Sequence, residues 1–125
     1  MALSNTPRQV MEKSAVVTYK DTTAKELFTL PSNAKILFFL VDVQTAFNDS
    51  GTDLLDLGKT GDGDFFADDI DVSAATQIMT QQYELGDVGD GIKTITGTYV
   101  GQNSNATAGK AVVTCVYSSK FATRQ

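Results

Sequence analysis

Residues 35–47, KILFFLVDVQTAF, carry the pattern from which the fold is read. Leu37, Phe39, Val41, Val43, Thr45 and Phe47 alternate with Ile36, Phe38, Leu40, Asp42 and Gln44, and a period of two rich in β-branched and aromatic side chains marks a strand. One series stays apolar while the other turns polar at Asp42. The first half of this strand is therefore expected to be covered on both faces.

Upstream, Leu30-Pro31-Ser32-Asn33 reads as a turn, because Pro fixes φ and Asn tolerates tight backbone. It is preceded by two strand-like runs, residues 15–19 (AVVTY) and 25–30 (KELFTL), joined by DTTA. Downstream, Leu54, Leu55 and Leu57 read as a short strand, and Phe65 and Phe66 anchor the next. Past the Gly-rich turn at 86–91, residues 92–100 set Ile95 and Tyr99 against Ile92, Thr94, Thr96 and Thr98. After the polar loop GQNSNATAG, residues 110–118 set Ala111, Val113, Cys115 and Tyr117 against Val112, Thr114 and Val116. Only residues 72–85 admit two readings. Val72, Ala75, Ile78, Met79 and Tyr83 fit a helical stripe with Ser73 as its cap, yet the shortness of the run and its Thr and Gln favour extended structure. Short strands with turn chemistry between them predict an all-β chain, an antiparallel β-sandwich or jelly roll with at most one short helix. Parallel βαβ units lack their helices.

The 125 residues suffice for one domain with its own core. We expect a single β-sandwich domain over residues 14–120, an N-terminal arm at 1–13 without strand pattern, and a short tail at 121–125. The longest uninterrupted apolar run is six residues, 36–41, against the ~20 of a membrane helix. No membrane partner is expected, and the N-terminal residues lack the apolar core of a secretory signal, which points to synthesis in a cytoplasm. Cys115 has no second cysteine to pair with and sits in an apolar run, as a small buried hydrophobe does. A net charge of −5 argues against binding the phosphate backbone of nucleic acid.

Residues 49–71 hold eight of the twelve aspartates, offset only by Lys59. Asp62, Asp64, Asp68, Asp69 and Asp71 are hard oxygen ligands of the kind calcium takes. The EF-hand spacing is absent, since Phe65 and Phe66 follow Asp64 and no glutamate lies between residues 27 and 83. A looser calcium site stays open; the favoured reading is of turn formers, with Asp side chains bonding nearby amides and Gly61 and Gly63 supplying positive φ. The chain has no histidine, so no nucleophile–base–orienter set can be assembled. A glycosidase pair is identified by separation in space, which sequence does not give. The segment GKTGDG (58–63) lacks phosphate-loop spacing, and the acceptor tripeptides at Asn48 and Asn105 carry little weight without a secretory signal. No catalytic, cofactor-binding or metal residue is assigned, and no enzyme is expected.

The order of elements adds a resemblance. LFTLPSNAKILFFLVDVQTAFNDSGTDLLDLGKTGDGDFFADDIDVS followed by ITGTYVGQNSNATAGKAVVTCVYSS resembles small virion proteins of tailed bacteriophages, in particular capsid decoration or cement proteins of jelly-roll type, over residues 15–119. The features that carry it are the LP turn before a long strand, the VDVQTAFNDSGT passage into LDLG, the DGDFFA turn and the closing TAGKAVVTCVY. Each is generic β grammar alone; their order is what matches. The resemblance implies a structural protein on the outside of a phage head that binds the major capsid protein, assembles as a homotrimer and reinforces the shell. An arm such as residues 1–13 would cross onto a neighbour, and self-association would cover Phe121 or one face of residues 36–40. Tail or fibre components share such folds. A carbohydrate-binding sandwich is a further alternative, weakened by the absence of Trp and by three of the four tyrosines (Tyr19, Tyr83, Tyr99, Tyr117) lying in strand patterns.

Overall fold

The computed structural model describes residues 8–31, 34–81 and 93–120. They contain eight strands and, among the described residues, no helix: β1 (Arg8–Thr18), β2 (Lys25–Leu30), β3 (Lys35–Thr45), β4 (Asp53–Lys59), β5 (Asp62–Asp71), β6 (Gln77–Gln81), β7 (Lys93–Gly101) and β8 (Lys110–Lys120). Two four-stranded sheets result, ordered β1-β8-β3-β6 and β2-β7-β4-β5. Every ladder is antiparallel, and β1 pairs with β8, β2 with β7, β3 with β6 and β4 with β5. The chain is one long hairpin bent at the β4–β5 turn and rolled on itself; the ladders β3–β8 and β4–β7 then close the two sheets. This is the jelly roll that the strand spacing predicted.

The inner faces follow the alternation where it is strict. Ala111, Val113, Cys115 and Tyr117 of β8 and Ile95 and Tyr99 of β7 are all buried. On β3 one residue departs from it. Ile36 pairs with Tyr117 and Phe38 with Val116, so Leu37 is an extra residue in a bulge. Ile36 therefore turns inward and Leu37 outward, 43% exposed, before Phe39, Val41 and Val43 resume the expected inward series. Residues 77–81 settle as an edge strand, with Ile78 packed on the core and Met79 turned out; the rest of the ambiguous segment, from residue 82, lies outside the described residues.

Strand β1 starts earlier than the sequence suggested. Residues 8–13, expected to belong to the arm, pair with β8 in unbroken register from Arg8↔Lys120 to Thr18↔Lys110. Their side chains from Gln9 to Lys13 are exposed and so carry no burial pattern, while the ladder is supplied by β8 through backbone groups that do not depend on side-chain type. Ser14 and Thr114 share a side-chain hydrogen bond of 2.8 Å across that ladder. Lys13 Nζ donates to Thr29 O at 2.7 Å and Lys25 Nζ to Val16 O at 2.8 Å, which ties β1 to β2 of the other sheet. Residues 1–7 of the expected arm and the tail 121–125, with Phe121, lie outside the described residues.

Candidate functional site

The structure places the acidic residues on strands more than in turns. Of the eight aspartates between 49 and 71, Asp53 and Asp56 lie on β4, and Asp62, Asp64, Asp68, Asp69 and Asp71 lie on β5; only Asp49 is in a loop. Two irregularities accommodate them. Between Leu55↔Ile70 and Leu57↔Ala67, β5 sets Asp68 and Asp69 against the single Asp56. Asp69 takes φ 61, a conformation Asp tolerates, and donates its N–H to Asp56 Oδ1 at 2.9 Å. Closer to the turn, β5 sets residues 63–66 against Gly58 alone, and the hairpin tip curls so tightly that a Cβ on Gly58 would fall on the backbone of Asp62 and Gly63. Gly61 supplies the positive φ (88°) of the turn, whereas Gly63, also expected to do so, does not. Phe66 is buried beside Phe39, ring centres 5.7 Å apart, and Phe65 meets Phe66 edge-on at 5.0 Å with Lys59 Nζ 3.9 Å above its ring. The two phenylalanines do anchor β5, as the sequence suggested.

Like charges dominate this edge. A hydrogen bond with Asp62, then desolvation and the charges of Asp68 and Asp62, hold the Asp64 carboxyl above its ordinary value. Desolvation and Asp68 do the same to Asp69. One carboxylate oxygen each from Asp56, Asp68 and Asp69 lies within 4.8 Å of the others. Calcium takes six to eight oxygens, and Asp56 Oδ1 already accepts a backbone amide. The arrangement is an outward-facing acidic edge.

At the adjoining end of the sandwich, the β3–β4 loop is clasped to the β7–β8 loop. Asp49 is 6% exposed, and its carboxylate accepts N–H groups from Gly51 at 2.7 Å and from Asn103 and Asn105 at 3.0 Å. Burial alone would raise its pKa; the amides of Gly51, Asn105, Asn103 and Ser104 outweigh that and hold it below the ordinary carboxylate value. Asn48 Oδ1 accepts the N–H of Thr107 at 2.7 Å and of Ala108 at 3.0 Å, while Asn105 Oδ1 accepts that of Ser50 at 2.8 Å. Both asparagines of the glycosylation-like tripeptides thus have a structural task.

The outward face of the β1-β8-β3-β6 sheet is of another character. Register places Val16 beside Val112, Thr114 beside Leu40, Leu40 beside Met79, and Val116 beside Phe38. Val16 is 38%, Met79 59% and Val10, further along β1, 64% exposed. Both series of apolar residues in β3 and β8 are therefore present for a reason, but among the described residues only the inner one is fully covered. That second apolar series was visible in the sequence; which residues it joins into one surface was not, because that depends on strand order.

Tyr99 and Tyr117 are buried, and Tyr83 lies outside the described residues. Half-buried Tyr19 lines an open groove of about 360 Å³ with Thr22, Val100, Ser104 and Ala106, and with Tyr99 at its base. Cys115 is buried and its thiol pushed up to about 12, chiefly by desolvation, so it is no nucleophile at neutral pH.

No protein-family model matches the chain, and no curated protein matches it. Solved structures do share its fold. A chain of the cyanophage Pam1 capsid asymmetric unit superposes with a TM-score of 0.70 at 16% identity, covering 94% of this chain and 90% of that one. A chain of the Ralstonia phage GP4 capsid gives 0.68 at 17% identity, over 91% and 86%. A chain of the acid-stable capsid of Helicobacter pylori bacteriophage KHP30 gives 0.61 at 16% identity, over 92% and 100%. Across most of its length this chain has the fold of a protein chain in each of three phage capsids.

Proposed function

We propose that this chain is a structural virion protein, a capsid decoration or cement protein that binds the outer surface of a phage head and stabilises the shell. The observation that carries this reading is the likeness of nearly the whole chain to chains in three phage capsid structures, reached independently of the sequence resemblance over residues 15–119. The physical chemistry agrees with a structural role. The described residues bring together no histidine, no accessible thiol and no nucleophile–base set, and they build a sandwich whose loops are held by many short hydrogen bonds.

On this reading the partners are the major capsid protein and further copies of the same chain, with the homotrimer as the form taken on the lattice. The protein is made in the host cytoplasm and ends on the capsid exterior. Electron cryo-microscopy of the intact particle tests it. Density matching the two sheets at three-fold or quasi-three-fold positions outside the head is the expected result; density along the tail would replace the decoration role by that of a tail or fibre component.

A further inference from the structure

We infer that the outward face of the β1-β8-β3-β6 sheet is the surface through which one copy of this chain meets another. The inference rests on the self-association part of the proposed function and not on shell binding.

Among the described residues, four of the six exposed large apolar side chains, Val10, Val16, Leu37 and Met79, lie on the outward side of this sheet; Met11, which pairs with the buried Tyr117, has the opposite parity, and Val100 is on β7. Across this face Val16, Val112, Leu40, Met79, Phe38 and Val116 form a diagonal apolar band, bordered by Glu12, Asp42 and the hydrogen-bonded Ser14–Thr114 pair, a sheet surface of the kind that marks an interaction site. Strands spaced ~4.8 Å apart with ~3.3 Å of rise per residue give the whole face, polar positions included, at most about 500 Å², so two copies bury at most about 1,000 Å². That is the range of weak contacts and predicts association that weakens on dilution.

Charge selects the occupant. The chain carries a net −5, so two copies repel. Most of that charge sits on β4 and β5, in the opposite sheet, where Asp56, Asp62, Asp64, Asp68 and Asp69 face outward. Among the described side chains, the outward face of the β1-β8-β3-β6 sheet sets Glu12 and Asp42 against Lys35 and Lys110 and is balanced. A basic partner would be drawn to the acidic edge. A partner with this chain's own charge is least repelled where this neutral face lies in the contact, turned toward the symmetry axis of the assembly, and the acidic edges point apart.

Sedimentation of the full chain from micromolar to millimolar concentration tests the contact. The wild type should associate, and Met79→Asp combined with Val16→Asp should raise its dissociation constant about tenfold or more, since each buries a carboxylate in an apolar interface. Val100→Asp, on the other sheet, should associate as the wild type does. Circular dichroism checks that the variants fold, and a readout on the wild type needs no variant: oxidation of Met79 by peroxide should slow as protein concentration rises. A monomer over the whole range, unchanged association of the double variant, equal loss in Val100→Asp, or Met79 oxidation independent of concentration would overturn the inference. These outcomes are separate from particle imaging, in which the decoration role alone succeeds or fails.

Discussion

The phenolic hydroxyl of Tyr99 on β7 donates to Asp53 Oδ1 on β4 across 2.5 Å, and the same oxygen accepts the N–H of Asp49 at 2.9 Å. Both residues are buried, Asp53 at 3% and Tyr99 at 2% exposure, and the Tyr99 ring packs on Phe47 with centres 4.7 Å apart. One hydrogen bond thus links the acidic strand, the loop clasp and the aromatic core. Tyr99→Phe leaves a buried carboxylate with one donor fewer, and we expect a loss of about 1–3 kcal/mol, read from urea denaturation at pH 7. Asp53→Asn keeps an acceptor in place and should cost less than Tyr99→Phe.

Acid should act on two parts of the molecule with opposite sign. Asp49 has its pKa lowered in the fold, so its contribution is complete above the ordinary value of 3.8 and is lost as pH falls through the lowered one. Asp49→Asn should reduce Tm at pH 7, with the difference from wild type shrinking below pH 3.8. Asp69 has its pKa raised, by desolvation first and then by Asp68, so the penalty on its charged form is fully present above the raised value and gone below 3.8. Asp69→Asn should raise Tm at pH 7, because Asn accepts the φ of 61 and carries no charge, and that gain should vanish in acid. Melting curves of both variants between pH 3 and pH 7 check the pair.

Alkali should unfold the protein through its core. The Cys115 thiol rises from 9.0 to about 12, mainly through desolvation; burial raises Tyr117 also, as burial and then Asp53 raise Tyr99. For each group the neutral form is the one the fold keeps, so its stabilising contribution is whole below the ordinary pKa and disappears as pH climbs through the raised value. Stability should decline from pH 9 upward, and Cys115→Ala should flatten that decline between pH 9 and 12, measured by denaturant midpoints at each pH.

Two glycines of the same hairpin should behave differently. Gly58→Ala drives a methyl group into the backbone of Asp62 and Gly63, which has no flexible end to yield, and should cost at least about 1–3 kcal/mol. A Cβ at Gly63 meets nothing within 4 Å, so Gly63→Ala should lie near wild type. Equal destabilisation by the two changes, in denaturation at neutral pH, would contradict the curled tip.

The parts of the fold legible in the sequence were those where side-chain alternation alone decides a face. Cys115 and Tyr117, or Ile95 and Tyr99, could be turned inward from spacing because one sheet covers one side of each strand. Arg8 to Lys13 could not be recognised as strand, since their place is fixed by β8, more than 100 positions away in register, and not by burial of their own side chains. The exchange of Leu37 for Ile36 and the presence of Asp68 and Asp69 on a strand share one cause. A bulge inserts a residue without altering composition, so it breaks the period without announcing itself. The acidic segment reads as turns for that reason, although Phe65 and Phe66 mark where its strand is held. The Asp49 clasp needed two loops some 50 residues apart to be placed together, which no local pattern records.

The nesting of strand pairs about the β4–β5 turn also has a temporal side. Among the described strands, only β4 and β5 are neighbours both along the chain and in a sheet; every other ladder joins strands with at least one further strand between them. A topology so rich in distant contacts folds slowly, and β8 occupies an interior position between β1 and β3. During synthesis, therefore, β1 waits on the ribosome for the partner that will hold it. Its backbone N–H and C=O groups are expected to spend that interval unpaired, so that β8, once made, removes an open strand edge on which another chain could pair.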